Sequence, residues 1–262
     1  MSEIHKHTPN TFCWVELATS DALAGKDFYS SLFGWQTHEA PMEGGDPYIM
    51  LQLRGKDIGA MYQLIPQQRE QGVPPHWLSY ISVENADETA ERAKSLGGKV
   101  VMGPMDVFDA GRMAMLQDPF GATFAIWQPN QHPGAGVINE PGTFCWQELA
   151  TPDKQAASQF YTGLFNWTPN VQKMGETEYT SFMVGKQPAA GMWELSGEYA
   201  NIPPHWMVYF AVQNCDEAVE KARNLGAKIA NPPTDIPGVG RFSVIQDPQD
   251  ALFSIIQLEN PM

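Results

Sequence analysis

The sequence predicts an α+β fold in which four βαβββ modules form two tandem domains. Three observations predict this organisation. A 26-residue segment that begins at residue 11 returns at residue 143 with 15 identical positions. Pro-Pro-His-Trp at 74–77 returns at 203–206, and Gln-Asp-Pro at 117–119 returns at 246–248. A repeat of about 130 residues is much longer than a solenoid unit, and it therefore indicates a duplicated domain.

Composition narrows the class of protein. A length of 262 residues agrees with two domains, since domains usually contain about 100–200 residues. The net charge of −14 argues against a basic nucleic-acid-binding surface. No apolar run approaches the roughly 18 residues of a membrane helix, and three cysteines without a Cys-x-x-Cys pair suggest a reducing compartment. We therefore expect a cytoplasmic monomer or homodimer without nucleic-acid or membrane partners.

The first strand and helix show clear periodicity. Residues 11–19 alternate between two faces, which indicates a strand covered on both sides. Asp21 offers a side-chain oxygen that can cap a helix. Apolar residues then recur at helical spacing, and Gly34 can adopt the left-handed conformation that ends a helix. We predict a helix over 22–33.

Three short strands follow, at 35–40, 47–53 and 57–64, with turn residues between them. The same order of elements then recurs in weaker form: a strand at 77–83, a helix at 86–96, and strands at 99–102, 112–117 and 122–128. The C-terminal half follows the same course. The predicted domains are 11–128 and 143–258, joined by a Pro- and Gly-rich linker at 129–142.

Two motifs occur in each half. The first combines an aspartate with a Phe-Tyr and Leu-Phe-Gly-Trp helix, at 21 and 27–35, and it returns at 153 and 160–167. The second is the Asp-Pro-Phe-Gly turn at 118–121, which returns in part at 247–248. With these motifs the chain resembles the vicinal oxygen chelate superfamily of glyoxalases, bleomycin resistance proteins and extradiol dioxygenases. The resemblance spans nearly the whole chain and implies two cupped mixed sheets with helices outside.

The resemblance also implies a divalent metal in each cup. Its usual ligands are a histidine seven residues before the aspartate that begins each module's helix, and a glutamate seven residues after the aspartate of the late turn. Counting from these aspartates gives Trp14, Tyr80, Ala125, Trp146, Tyr209 and Ser254. Apart from the phenols, none of these side chains is a metal donor. We therefore expect no metal cofactor, with a divalent metal at displaced ligands such as Glu16 and His76 as the alternative.

Side chains on the same strand face as the counted positions should line the cups. The predicted ligand-binding residues are aromatic or carry an imidazole: Phe12, Trp14, His76, Tyr80 and Trp127 in the first cup, and Phe144, Trp146, His205 and Tyr209 in the second. Mostly apolar walls with a few polar groups are typical of small-molecule sites. The tryptophans could instead fill the space of a lost metal. The histidines could instead be strand-entry residues bonded to the adjacent loop.

Glu16 and Glu148 are the candidate catalytic residues, because burial among rings raises the pKa of a carboxyl group. Each could instead be a structural carboxylate paired with a backbone amide or an arginine. Three functions follow from these alternatives. The first is metal-free binding of an apolar or aromatic small molecule. The second is an enzyme, either related to lactoylglutathione lyase or dioxygenase-like, with the glutamates as general bases. In the third, the second domain is chiefly structural.

Overall fold

The computed structural model describes residues 3–40, 47–174 and 177–260. The first half contains strands β1 (Phe12–Thr19), β2 (Gln36–Ala40), β3 (Tyr48–Leu53), β4 (Lys56–Gln63), β5 (His76–Ser82), β6 (Lys99–Val107), β7 (Gly111–Gln117) and β8 (Thr123–Pro129), with helices α1 (Ala22–Phe33), α2 (Pro66–Glu70) and α3 (Ala86–Ser95). The second half contains strands β9 (Phe144–Thr151), β10 (Thr168–Met174), β11 (Thr177–Val184), β12 (Gln187–Glu194), β13 (His205–Ala211), β14 (Lys228–Ile236), β15 (Gly240–Gln246) and β16 (Leu252–Leu258), with helices α4 (Lys154–Phe165) and α5 (Cys215–Asn224) and a 3-10 turn (Gly197–Tyr199).

Each half forms one mixed sheet of eight strands. The strand order is β2-β3-β4-β1-β5-β8-β7-β6 in the first sheet and β10-β11-β12-β9-β13-β16-β15-β14 in the second. The first strand of each module lies at the centre, where β1 pairs antiparallel with β5 and parallel with β4. This arrangement confirms the predicted α+β fold with two tandem domains.

The long helices begin and end where the sequence predicts. The Asp21 carboxylate accepts a hydrogen bond of 3.0 Å from the Ala24 amide at the start of α1. Gly34 ends that helix in the left-handed conformation, with φ of 76°. In α4 the equivalent positions are Asp153 and Asn166, and asparagine tolerates the same conformation. No helix among the described residues is long and apolar enough to cross a membrane.

Two elements differ from the prediction. The strand predicted at 99–102 continues to Val107, because the chain keeps pairing with β7 through Gly103 and Pro104 with shifts in register. Glycine next to proline usually marks a turn, which is why the predicted strand stops too early. The five-residue helix α2 was not predicted. It begins at Pro66, a residue suited to the first turn of a helix, between the two modules of the first domain.

The two domains share one aromatic core. Phe33 at the end of α1 lies 5.3 Å from Phe210 of the second sheet, measured between ring centroids. Phe12 lies 5.2 Å from Trp206 in the same way. The buried Ser79 hydroxyl donates to the Gln147 side-chain oxygen at 2.7 Å. Each domain therefore uses the other as part of its interior.

A buried aspartate anchors the second domain to the first. The hydroxyl of Tyr161, on α4, donates to one carboxylate oxygen of Asp118 at 3.1 Å. The other oxygen of Asp118 accepts from the amides of Phe120 and Ala122, each at 2.9 Å. The Tyr161 hydroxyl itself accepts from the Trp206 indole at 2.9 Å. One side chain thus ties a turn of the first domain to a helix of the second.

The reciprocal contact has the same form. The hydroxyl of Tyr29, on α1, donates to Asp247 at 2.9 Å and accepts from the Trp77 indole at 3.0 Å. Asp118 and Asp247 are only 2% and 1% exposed. The Phe-Tyr helix motif and the Asp-Pro turn motif therefore meet across the domain interface. Their role is to hold the two halves together.

Candidate functional site

The six positions found by counting form two rows of three residues, one across the centre of each sheet. In the first sheet Trp14 lies opposite Tyr80, which lies opposite Ala125. In the second sheet the corresponding pairs are Trp146 with Tyr209 and Tyr209 with Ser254. Residues directly opposite each other on paired strands point to the same face. An indole and a phenol therefore stand side by side in each cup where the superfamily implies metal ligands.

The side chains in this row do not fit the implied metal. Indole, methyl and hydroxyl groups are not the deprotonated nitrogen, oxygen or sulfur donors that divalent metals need. Across 3–40, 47–174 and 177–260, no three His, Cys, Asp or Glu side chains come together as a metal-binding group. His76 lies opposite Ala18, two pairs beyond the pairing of Glu16 with Leu78. The described residues therefore offer no fitting site for the implied metal.

Each cup instead holds a carboxyl group between two phenols. In the second cup, Tyr179 donates to one oxygen of Glu148 at 2.6 Å, and Tyr209 donates to the other at 2.8 Å. The Trp146 indole donates to the Tyr179 hydroxyl at 3.0 Å. We call these four residues the second acid–phenol cluster. The partners of the carboxylate are phenols, whereas the sequence suggested a backbone amide or an arginine as the structural alternative.

The first cup repeats this arrangement. Tyr48 and Tyr80 donate to the two oxygens of Glu16, at 2.5 Å and 3.1 Å. A third phenol, Tyr62, lies near the same carboxylate and accepts from the Gln68 side chain at 3.1 Å. Burial, and secondarily the Glu16 charge, raise the pKa of Tyr62 to about 12. These residues, with Trp14, form the first acid–phenol cluster.

Burial sets the protonation of both clusters. It raises the pKa of Glu16 and of Glu148, while the hydrogen bonds from the tyrosines act in the opposite direction. Burial and the neighbouring carboxylate also raise the pKa values of Tyr80 and Tyr209 well above the ordinary value for a phenol. The phenols therefore stay protonated and act as donors. The carboxyl groups take up a proton more readily than exposed glutamates.

Glu148→Gln should change how stability depends on pH. The folded protein holds Glu148 with a pKa above its ordinary value of 4.5. Between pH 4.5 and the raised pKa of Glu148, the folded state binds more protons than the unfolded state. The contribution of Glu148 to the free energy of unfolding is therefore complete below pH 4.5 and is lost as the pH rises through the raised pKa. We expect the unfolding free energy of wild type, relative to Glu148→Gln, to fall with rising pH in urea titrations. Glu16→Gln is the matched variant, and a relative stability that increased over this range would contradict the assignment.

Phe12 and Phe144 do not line the cups as predicted. Phe12 packs against Trp167 and Trp206 of the second domain, and Phe144 belongs to the same shared core. The cause is a register shift in the β1–β5 pairing between Phe12 and Trp14, and a second shift opposite Phe144. A bulge of this kind interrupts the alternation of side chains along a strand. Both phenylalanines are therefore structural.

The predicted histidines begin the central strands and contact the preceding loop. The Nδ1 atoms of His76 and His205 lie 2.8 Å from the carbonyl oxygens of Pro74 and Pro203. A carbonyl oxygen only accepts hydrogen bonds, so Nδ1 must donate. Burial lowers the pKa of His76. This geometry matches the strand-entry interpretation of both residues.

A cavity of about 770 Å³ opens at the second cup. Its lining combines aromatic and aliphatic side chains with two lysines and three acidic residues: Tyr179, Trp193, Phe242, Ile236, Lys154, Lys173, Glu178, Glu194 and Asp235. Tyr179 joins this cavity to the second acid–phenol cluster. The sequence analysis missed Tyr179 and its counterpart Tyr48. The available signal was the repeat, because both tyrosines occupy the second β-strand after the first helix of their domain.

Gly191 makes room for the second cluster. It lies opposite Glu148 in the pairing of β12 with β9. A Cβ atom at Gly191 would lie 1.8 Å from the Tyr179 hydroxyl and 2.8 Å from the Trp146 indole nitrogen. The first sheet has Ala60 at the matching position, opposite Glu16. The two cups thus share a cluster but differ in the residue opposite its glutamate, which is glycine in the second cup and alanine in the first.

Comparisons with known proteins agree with the motifs. A sequence model of the Glyoxalase/Bleomycin resistance protein/Dioxygenase superfamily matches residues 11–126 and 143–255. The "Putative glyoxylase CFP32" of Mycobacterium tuberculosis is 39% identical over 258 residues, covering 98% of this chain and 97% of the relative. The "Anthracycline biosynthesis protein DnrV" of Streptomyces peucetius is 35% identical over 263 residues, covering 97% and 95%.

Solved structures share the fold at low sequence identity. The Mn(II)-bound glyoxalase from Novosphingobium aromaticivorans matches with a TM-score of 0.66 and 14% identity, covering 97% of this chain and 86% of the other. The 2,3-dioxygenase LapB from Pseudomonas sp. KL28 matches with a TM-score of 0.64 and 10% identity, covering 98% and 93%. At these identities the likeness concerns the fold alone.

Proposed function

The chain belongs to the glyoxalase/bleomycin resistance protein/dioxygenase superfamily, and we propose that it binds a flat, largely apolar small molecule in its second cup without a metal ion. One observation carries this proposal. The second acid–phenol cluster includes Trp146 and Tyr209, which lie in the row of the sheet where the superfamily implies metal ligands, and it adjoins the open cavity through Tyr179.

The walls of the second cup favour an apolar ligand with rings. Trp193, Phe242 and Ile236 contribute to the cavity. Trp146, which donates a hydrogen bond to the cavity residue Tyr179, is only partly buried. Concave sites with mostly apolar walls and few polar groups are the usual binding sites for small molecules. Aromatic side chains add a preference for stacked or edge-on rings.

The cluster favours a ligand that donates a hydrogen bond. Each oxygen of Glu148 accepts one tyrosine hydroxyl, and a carboxylate oxygen has a second lone pair available. A phenolic hydroxyl or an amide N–H of the ligand can therefore add to the cluster. Two relatives named for anthracycline biosynthesis support a ligand built from fused aromatic rings.

A second candidate is a lyase or isomerase in which Glu148 removes a proton from the ligand. The raised pKa of this buried carboxyl favours it, because a general base works best with a pKa near the operating pH. The name "Putative glyoxylase" of the mycobacterial relative also agrees with it. The two tyrosine hydrogen bonds argue against Glu148 as a general base, because they stabilise the carboxylate and so make it a weaker base. Binding is therefore the first proposal.

Trp146→Ala is expected to weaken binding of a flat aromatic probe. With 1,8-dihydroxyanthraquinone in equilibrium dialysis, loss of one ring contact should cost about 1–2 kcal/mol, or roughly five- to thirtyfold in Kd. The matched control is Trp14→Ala, the equivalent change in the first cup, which should leave the Kd within about twofold. Absence of saturable binding to wild type, or an unchanged Kd in Trp146→Ala, would reject the proposal.

Glu148→Gln separates binding from proton transfer. For binding alone, the variant should change the probe's Kd modestly, because glutamine keeps an acceptor oxygen. For the second candidate, wild type should catalyse deuterium exchange at the C10 methylene of bound 1,8-dihydroxyanthrone, a carbon acid that the anthraquinone lacks. Glu148→Gln should abolish this exchange while leaving the Kd for the anthrone nearly unchanged. Exchange that persists in the variant would exclude Glu148 as the base.

A further inference from the structure

We propose that the linker fills the ligand position of the first cup with the imidazole of His132, which packs against Trp14. In the second cup, a ring of an external molecule occupies the equivalent position against Trp146. The assignment of the second cup rests on the proposed function. The assignment of the linker to the first cup rests on contacts within the chain alone. Together they assign one external binding site to each chain and locate a ring subsite within it.

His132 packs on the aromatic floor of the first cup. Its ring centroid lies 4.7 Å from that of Trp14, at an interplanar angle of 86°. It lies 6.2 Å from that of Trp127, at 83°. Both are edge-to-face contacts, an arrangement favoured by the charge distribution of aromatic rings. Beneath this imidazole, Trp14 is only 6% exposed and Trp127 only 8%.

The linker is bonded to the sheet around this contact. The Trp127 indole donates to the His132 carbonyl at 2.9 Å, and the Ala135 amide donates to the Cys13 carbonyl at 2.8 Å. Gly134 comes so close to β1 that a Cβ atom there would lie 2.5 Å from the Cys13 carbonyl oxygen. Its φ of 110° also disfavours any other residue. The segment is therefore fitted to the first cup over several residues.

The imidazole is held by ring packing. Its Nε2 atom is buried and makes no hydrogen bond with the described residues. Burial lowers the pKa of His132, which keeps the ring neutral. The contact is thus of the kind that a neutral flat ligand makes with a tryptophan.

The second cup has different residues at two of the equivalent floor positions, and part of its floor is accessible. Trp127 lies opposite Met113 in the first sheet, and Ile256 lies opposite Phe242 in the second. Trp14 and Met113 are buried, whereas Trp146 is partly exposed and Phe242 lines the cavity. The ring subsite of the second cup is therefore formed by the accessible residues Trp146 and Phe242, and the buried Ile256 is paired opposite Phe242.

Fluorine NMR of protein labelled with 5-fluorotryptophan tests both parts. The chain has eight tryptophans, and Trp14→Phe and Trp146→Phe assign the two signals that matter. Without any ligand, the soluble paramagnet TEMPOL should broaden the Trp146 signal and spare the Trp14 signal. In His132→Ala, the Trp14 signal should become as sensitive as that of Trp146. Gln131→Ala, an exposed change in the same linker, should leave it protected.

The second arm uses 1,8-dihydroxyanthraquinone as the probe. In wild type it should shift the Trp146 signal with a stoichiometry of one, and in His132→Ala it should also shift the Trp14 signal, with a stoichiometry of two. A Trp14 signal broadened by TEMPOL in wild type would overturn the linker assignment, and this measurement needs no variant to fold. Continued protection of Trp14 in folded His132→Ala would overturn it too. If TEMPOL gives the expected pattern but the probe leaves Trp146 unchanged, the proposed function fails while the linker assignment stands.

Discussion

Asp118→Ala is expected to lower the free energy of unfolding by about 3–5 kcal/mol, because it leaves several buried donors without an acceptor. The amides of Phe120 and Ala122 and the hydroxyl of Tyr161 all donate to this one side chain. The first two shape the turn, and the third joins the domains. Urea denaturation followed by tryptophan fluorescence measures the effect.

Two related variants separate the contribution of the turn to stability from that of the domain interface. Tyr161→Phe leaves the turn's amide bonds to Asp118 intact. It removes the donor across the interface and also the acceptor of the Trp206 indole, and it should cost about 1–3 kcal/mol. Asp247→Ala removes the equivalent acceptor in the other half and should match Asp118→Ala, since Asp247 accepts from two amides and Tyr29. A loss below about 1 kcal/mol for Asp118→Ala would show that water satisfies these donors and that the interface is looser than described.

Gly191→Ala is expected to disrupt the second cup and weaken probe binding by about thirtyfold or more, since it displaces both a ring and a donor worth about 1–2 kcal/mol each. The added methyl group would collide with the Tyr179 hydroxyl and crowd the Trp146 indole. Tyr179 cannot keep its hydrogen bond to Glu148 from a shifted position. The Kd for 1,8-dihydroxyanthraquinone reports the loss.

Ala60→Gly is the matched control for Gly191→Ala. It changes the equivalent position beside Glu16 in the first cup, and it should cost about 1 kcal/mol of stability, as glycine does within a strand. Its Kd for the probe should equal that of wild type. An unchanged Kd in folded Gly191→Ala would show that Tyr179 and Trp146 contribute nothing to binding. An equal loss in Ala60→Gly would place the probe elsewhere.

Much of the fold could be predicted because its signals are local or repeated. Asp21 caps a helix through its own carboxylate, and Gly34 ends that helix through its own backbone conformation, so neither needs a distant partner. The repeat then doubles every such signal. The extension of β6 through Gly103 and Pro104 was missed because tertiary pairing with β7 overrides a local turn signal.

The site was predictable only in part, because its chemistry depends on pairing between distant strands. Counting from the aspartates at 21, 87 and 118 placed Trp14, Tyr80 and Ala125. The register of the strands puts these three residues in one row. Alternation failed at Phe12, where a bulge turns the side chain away. The donors Tyr48 and Tyr179 lie 32 and 31 residues from the glutamates they bond. No periodicity within one strand reveals such a partner.

The reciprocal bonds of Tyr29 with Asp247 and Tyr161 with Asp118 bear on the origin of the chain. They are the same contact made twice, as across a two-fold axis. A single-copy ancestor carrying both motifs would have met a second copy of itself through an isologous interface. Gene fusion would then have replaced a concentration-dependent association with an intramolecular one. Once the two copies were covalently joined, each cup was free to diverge.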